Sequence, residues 1–414
     1  MKKIYWPWLT IALVFLMTRT AYCDEATDWN RYLLESLRAT NASAQAATRS
    51  AAIVHVAVAD AVNGIDRRYN SIRVQPDAAR SASRRAAAVQ AAYAVMVRLF
   101  PTRQVILNAN RQISLDRITH DHSDPQVGSI QAGIEWGQKV ADAIWEWRST
   151  DGLSISLPPF LGGSAPGQWR PTPPDSSPGA AVQFATMTPW VIPSPSYFRP
   201  DPPPALNSDR YTADFNEVKT KGSATGARTA EQTLSVFFWA STTPTYLWNT
   251  AATTLAARRH TGLSENARLL AVLNLAMADA TIGCWDAKYV YEFWRPLTAI
   301  TLADDDGNPA TLSDSTWAPL IPTPAHPEYP SGHSCNSAAG AAVLARYFGD
   351  YNRVTLKSEV MFGISRSFHS FSAALEDVKD ARVFGGIHFR SACEAGQKLG
   401  IQIANYVMQH FLLP

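Results

Sequence analysis

Fourteen of the chain's 27 prolines fall between positions 158 and 204, and this cluster limits the possible folds more than any other feature. Segments such as Gln168-Trp169-Arg170-Pro171-Thr172-Pro173-Pro174 and Arg199-Pro200-Asp201-Pro202-Pro203-Pro204 lack the N–H donors and the backbone freedom that a helix or central strand needs. The chain is therefore split into two stretches that can be regular, with an irregular one between them. Trp169, Phe184, Trp190, Tyr197 and Phe198 are poor residues for a solvated tether, so the middle segment is expected to be ordered, wrapped on the rest and helping to wall a pocket.

On the N-terminal side, residues 27–149 are Ala-rich with apolar residues three and four apart, as in Ala52, Ile53, Val56, Ala57, Ala59 and Val62. Helical patterning resumes near Thr229 and runs to the C-terminus with a loop over 303–323; it is clearest at 266–290, 337–348 and 392–408. Alternating strand patterns of useful length are missing. The expectation is an all-α protein: a helical bundle over 24–150, the Pro-rich irregular segment over 151–228, and a second bundle over 229–414.

Residues 1–23 open on Met1-Lys2-Lys3, run apolar through Leu16 and Met17, and exit at Ala21-Tyr22-Cys23. That is the pattern of a secretory signal, which predicts an exported protein, periplasmic or extracellular. Without that leader the chain holds 34 basic and 35 acidic residues, so it offers no electrostatic footprint for nucleic acid. No later stretch reaches about 18 uninterrupted apolar residues, so no stable membrane span is expected after cleavage. Cys284, Cys335 and Cys393 remain, an odd number that suggests one disulfide and one buried thiol.

Three short segments in the last third share one theme, the binding of an oxyanion. Lys288 precedes Arg295-Pro296 by seven residues; on one helix that is two turns, with the two cations roughly 20° apart around the axis. A fork-shaped guanidinium and a point charge suit a tetrahedral anion, although Glu292 on the same face offers both a partner. Pro330-Ser331-Gly332-His333 then precedes an Ala-rich run, so Ser331 caps a helix, Gly332 permits close backbone approach, and His333 stands in the first turn. Arg382-Val383-Phe384-Gly385-Gly386-Ile387-His388 adds a third cation and a second imidazole. The other histidines, His55, His120, His122, His260, His369 and His410, are assigned to packing or surface.

Together these segments resemble the family that joins vanadium-dependent haloperoxidases to type 2 phosphatidic-acid phosphatases and bacterial acid phosphatases. Its signature is Lys-x6-Arg-Pro, Pro-Ser-Gly-His and Ser-Arg-x3-Gly-x-His; here the order holds, and Ala381 stands where Ser usually precedes the Arg. Phe293-Trp294-Arg295-Pro296, the Trp-Arg-Pro-Thr-Pro-Pro segment and Gly386-Ile387-His388-Phe389-Arg390 resemble the exported bacterial haloperoxidase branch. The resemblance implies vanadate held by Lys288, Arg295 and Arg382 with Ser331 and the Gly332 N–H as neutral donors, and His388 as the axial ligand of vanadium. It implies His333 as the acid–base group toward hydrogen peroxide, and Lys288 polarising the bound peroxide while halide attacks. Hydrogen peroxide, halide and a small organic acceptor would be the reactants, with no haem, flavin or nicotinamide. Whether the chain forms a homo-oligomer is left open.

In the haloperoxidases it resembles, the position of His326 tends to be aromatic in chloride oxidisers and His in bromide oxidisers, which implies bromide and iodide here. A second reading is phosphomonoester hydrolysis, with His388 as nucleophile and His333 protonating the leaving group. That branch usually has an Asp four residues after the nucleophile; Ala392 stands there, which tilts the reading toward peroxidase. A third is a non-catalytic oxyanion binder, against which the retention of both histidines argues. If His333 and His388 meet at one ion, Cys335 and Cys393 start helices that approach closely, and a Cys335–Cys393 disulfide with Cys284 free is expected.

Overall fold

The helix that positions the rest is α9 (Leu263–Tyr291), 29 residues long and buried along almost its whole length. It is rich in Ala and Leu and has no proline; its start is closed by Glu265, whose carboxylate accepts the Gly262 N–H at 3.3 Å. It stops where Glu292 takes the left-handed conformation, φ 47°. Apolar on all sides, it is the pattern of a core helix. By length and composition it could cross a membrane, but its apolar stretch lies inside the protein. This computed structural model describes residues 24–121, 129–411 and 413; the leader read in residues 1–23 and His122 lie outside them.

Five helices precede the Pro-rich segment: α1 (Glu25–Ala39), α2 (Ala44–Asp66), α3 (Arg84–Leu99), α4 (Gln104–Thr119) and α5 (Ile130–Ser149). Small residues let them approach closely. A Cβ on Gly133 would stand 2.3 Å from the Ser83 carbonyl, and one on Gly137 2.5 Å from that of Ala87, so α5 lies directly on α3. The helix α2, buried over most of its length, packs on α9.

The second half contains α6 (Asp209–Lys221), α7 (Ala230–Ser241), α8 (Pro244–Arg259), α9, α10 (Pro296–Thr301), α11 (Gly332–Phe348), α12 (Phe371–Phe384) and α13 (Arg390–His410). Among the described residues the chain is all-α, as expected, apart from one hairpin, β1 (Val354–Lys357) antiparallel to β2 (Ser365–Phe368), with Val354 opposite Phe368. At four residues each, its strands are too short to leave a readable alternation in the sequence. Helices α11 and α13 touch at Gly396, where a Cβ would meet the Ser331 carbonyl at 2.5 Å. That contact holds the start of α11 against the first turns of α13.

The Pro-rich segment is ordered, with a 3-10 turn at Val182–Ala185. It is strapped onto α9 by two acids. The Asp279 carboxylate accepts the N–H groups of Trp190, Val191 and Ile192 at 2.7, 2.8 and 2.9 Å, and Asp286 takes a two-point bond from Arg199 at 2.7 and 2.9 Å.

Candidate active site

A cavity of about 140 Å³ opens where α2, α8, α9 and α11 meet the loops before α11 and α13. His326, Gly332, His333, Arg382 and His388 line it, together with Trp285. Lys288 and Arg295 are fully buried, and both bond the same 326–330 loop that borders the cavity. The three segments singled out in the sequence thus converge, although for one pair the reason differs from the one expected. Lys288 and Arg295 do not share a helix: α9 ends at Tyr291, and Arg295 is the N-cap of α10. Glu292 breaks the helix between them and pairs with neither; its carbonyl accepts the Trp169 N–H at 2.6 Å.

Each cation is used differently. The Lys288 ammonium donates to the carbonyls of Pro327, Glu328 and Pro330 at 2.8, 3.0 and 2.5 Å, so all three protons are taken and what it lends the cavity is charge. Arg295 donates to the carbonyls of His326 and Ile387 at 2.9 and 2.7 Å and reaches His326 Nδ1 at 3.0 Å and His388 Nε2 at 3.3 Å. A guanidinium only donates, so both of those ring nitrogens must present lone pairs. Arg382, also buried, has Nε and Nη1 without a partner among the described residues.

The carboxylate that sequence reasoning could not find is Glu328. Its Oε1 accepts from His388 Nδ1 at 2.8 Å and from the Phe389 N–H at 2.9 Å. Position 392 is Ala, as read, but the orienting acid comes from a loop 60 residues earlier in the chain. That removes the argument that its absence weighs against phosphoryl transfer. The one available signal was an acidic residue inside the otherwise uncharged, Pro-flanked loop of residues 324–330. With Nδ1–H held by Glu328, His388 Nε2 presents its lone pair at the cavity, where Arg295 Nη1 meets it at a long 3.3 Å.

Burial dominates the electrostatics. It lowers Lys288 to about 8 and Arg295 and Arg382 to about 10, and holds His326, His333 and His388 well below the usual imidazole range. It raises Glu328 to about 8, against the pull of Arg295 and Lys288. Three desolvated cations facing a single carboxylate are poorly compensated, and a bound anion would repair the imbalance.

The remaining assigned residues sit as follows. Ser331 caps α11, its hydroxyl accepting the Ser334 N–H at 3.4 Å, and is buried beside Cys393 and not on the cavity wall. His333 lines the cavity, close enough to the Trp239 backbone to feel its carbonyl. His326 turns inward, with its ring 5.1 Å from that of Trp285. The Pro-rich segment was expected to wall the pocket but only backs it: the Ala180 N–H donates to the Ala325 carbonyl at 2.7 Å, and the Ala180 carbonyl accepts the Tyr289 hydroxyl at 2.6 Å. The starts of α2 and α8, which sequence reasoning did not connect to the site, line it instead through Ala44, Gln45, Pro244 and Thr245.

Residues 268–413 match the family described as the VCPO second helical-bundle domain. Vanadium chloroperoxidase of Curvularia inaequalis is 28% identical over 199 residues, which span 40% of this chain and 31% of that protein. The crystal structure of the first bacterial vanadium-dependent iodoperoxidase matches with a TM-score of 0.80 at 28% identity, covering 94% of this chain and 97% of that one. These matches give the chain the vanadium haloperoxidase fold, with the second helical-bundle domain of that family over residues 268–413. The holo form of a bacterial vanadium-dependent chloroperoxidase shares the fold at a TM-score of 0.68 and 18% identity, covering 94% of this chain and 93% of that one.

The oxyanion of the vanadium haloperoxidases suits the residues present. Arg382 Nε and Nη1, unpartnered among the described residues, are donors of the kind it would need, Gly332 begins a helix whose first N–H groups have no intrahelical partner, and His388 Nε2 offers a ring nitrogen at the cavity. Gly332 is also sterically required, since a Cβ there would press on the Trp285 ring at 3.2 Å. The cysteines depart from expectation: Cys284, Cys335 and Cys393 are all free and buried. The Cys335 thiol faces α9, donating to the Ala280 carbonyl at 3.4 Å, whereas Cys393 faces the hydroxyls of Ser331 and Ser334. The two helices do approach, as expected, but Gly396 makes the contact and the sulfurs point apart.

Proposed function

We propose that this protein is an exported vanadate-dependent haloperoxidase that uses hydrogen peroxide to oxidise halide, bromide and iodide before chloride, with hypohalous acid passed to a small organic acceptor. The observation that carries the reading is the cationic surplus at the cavity floor: Arg382 with two donors unpartnered among the described residues, beside a histidine whose Nε2 is kept unprotonated by Glu328 on Nδ1. Arg382 and the Gly332 N–H would hold the oxyanion directly. Arg295 and Lys288 would hold it chiefly by charge, and Ser331 would act through the cap that orients the start of α11. His388 Nε2 would ligate vanadium. Bound vanadate supplies a Lewis acid that activates peroxide toward halide without a change of oxidation state.

His333 serves as the proton acceptor. Its burial keeps the ring neutral, so that a ring nitrogen can take a proton from peroxide. His326, inward and in contact with Arg295, makes this part of the wall polar, which supports the halide preference over chloride. The decisive experiment loads the protein with orthovanadate and compares peroxide-dependent halogenation with the three halides. His388→Ala should lose vanadate retention, whereas His333→Ala should keep the ion and lose turnover. Chloride turnover equal to that of bromide would overturn the halide assignment.

The Glu328–His388 pair supports a second reading, hydrolysis of phosphate monoesters with His388 Nε2 as nucleophile, because a carboxylate on Nδ1 raises the basicity of Nε2. Hydrolysis of a phosphate ester by the vanadate-free protein, with no halogenation after loading, would establish it.

A further inference from the structure

Three long helices, α2, α8 and α11, begin at the cavity, and Ala44, Pro244 and Gly332, their first residues, all line it. Helix starts leave N–H groups without intrahelical partners and carry the positive end of the dipole. The start of α11 belongs to the oxyanion floor; those of α2 and α8 do not. At the second residue of α8, Thr245 is 1% exposed and lines the cavity, and its Oγ has no partner among the described residues. A buried hydroxyl in that condition points to a ligand.

Asn336 lines the cavity one turn after Gly332 on α11, as Thr281 does one turn before Trp285 on α9. This level therefore stands roughly 5 Å, one helical pitch, above the floor. Thr281 Oγ1 lies 3.0 Å from each of the Met277 carbonyl, Asn336 Oδ1 and Thr48 Oγ1, so its one proton is shared among acceptors and the Asn336 oxygen is turned toward it. The Asn336 amide nitrogen makes one long 3.3 Å bond to the Gly332 carbonyl, which leaves an amide hydrogen to offer. Among the described residues no carboxylate lines the cavity. Ala44, Pro244, Trp285 and Pro324 add apolar wall, and Gln45 and Thr48 are further neutral polar members.

We propose that the cavity holds two anion sites, the second being a halide subsite formed by Thr245 and Asn336 at the N-terminal turns of α8 and α2, one turn above the oxyanion floor. The proposal rests on the haloperoxidase reading and names where its halide waits. Two neutral donors in an apolar wall suit a monatomic ion, which needs no directional fork. They favour the larger, weakly hydrated bromide and iodide, whose desolvation costs less than that of chloride.

The test uses vanadate-loaded protein, crystallised with bromide and probed by bromine anomalous scattering, alongside steady-state kinetics of Thr245→Val and Thr245→Ser. The expected result is a bromine peak within hydrogen-bond reach of Thr245 Oγ that disappears in Thr245→Val. That variant should raise KM for bromide about fivefold or more, with vanadate affinity and KM for peroxide held within about twofold, and Thr245→Ser should restore it. A peak confined to the Arg382 and His388 floor would overturn the subsite, as would an unchanged bromide KM in Thr245→Val with vanadate still bound. Bromide bound at Thr245 in a protein that oxidises no halide would support the subsite and overturn the peroxidase reading instead.

Discussion

Two buried charge clusters in this chain are balanced in opposite ways. Beneath the Pro-rich strap, Arg49 and Arg148 share Asp151 at 2.7 and 3.1 Å, and their remaining donors go to carbonyls, Arg49 to Arg148 and Arg148 to Thr188 and Pro189. Asp279 lies near enough to Arg148 to support its charge. At the cavity floor, Lys288 and Arg295 share Glu328, whose Oε1 is occupied by His388 and the Phe389 N–H, and Arg382 has no carboxylate partner among the described residues. The first cluster closes its account within the chain and so acts as structure. The second leaves positive charge and two guanidinium donors over, which the proposed oxyanion would complete.

Mutations should separate the two. Asp151→Asn leaves Arg49 unpaired and Arg148 with Asp279 alone, and should cost about 3–5 kcal/mol in urea unfolding, with oxyanion affinity unchanged. Arg382→Ala should do the reverse: oxyanion affinity falls by about 100-fold, near 3 kcal/mol, while stability without the anion is unchanged or rises. Vanadate or phosphate titration beside unfolding curves reads both, and an Arg382→Ala protein as destabilised as Asp151→Asn would erase the distinction.

The strap provides a milder case. Asp279, raised to about 6 by burial although three N–H groups bond it, should lose about 2 kcal/mol of stability on replacement by Asn, which turns one acceptor into a donor facing donors. Oxyanion affinity should not follow, because the strap backs the cavity without lining it.

The smallest effect is a slope with pH. His55, in the N-terminal bundle, bonds Asn30 at 2.9 Å and is lowered to about 3 by burial. A depressed folded value means the stabilisation is present above pH 6.5 and lost as pH falls toward 3, because the unfolded chain takes up the proton first. Between pH 6.5 and 5.5 this should cost about 1 kcal/mol, and His55→Gln should flatten that part of the pH–stability curve. An unchanged slope would mean that the bundle does not hold His55 neutral.

How much of this was legible follows from the range of each interaction. Helical repeats are local, so the Ala-rich bundles, α9 and the capped start of α11 at Ser331 could all be read from spacing, and prolines marked the strap for the same reason. The motif residues could also be named, because their order along the chain survives folding. Lys288 and Arg295 were brought together on the page by a helix that in fact breaks at Glu292; they meet because both bond the loop of residues 326–330.

Sequence alone therefore determined the fold class and named the cations and histidines that meet, while α6 lies inside the stretch of residues 151–228 expected to be irregular. Tertiary structure decided which donors are spent and which are left over. Lys288 gives its protons to carbonyls and Arg382 keeps two of its donors, although both read as equivalent cations in a motif. It also supplied Glu328 to His388 from 60 residues away, turned Cys335 and Cys393 apart, and aimed the starts of α2 and α8 at the cavity. These depend on side-chain direction and on contacts between distant segments, which packing sets and no local periodicity records.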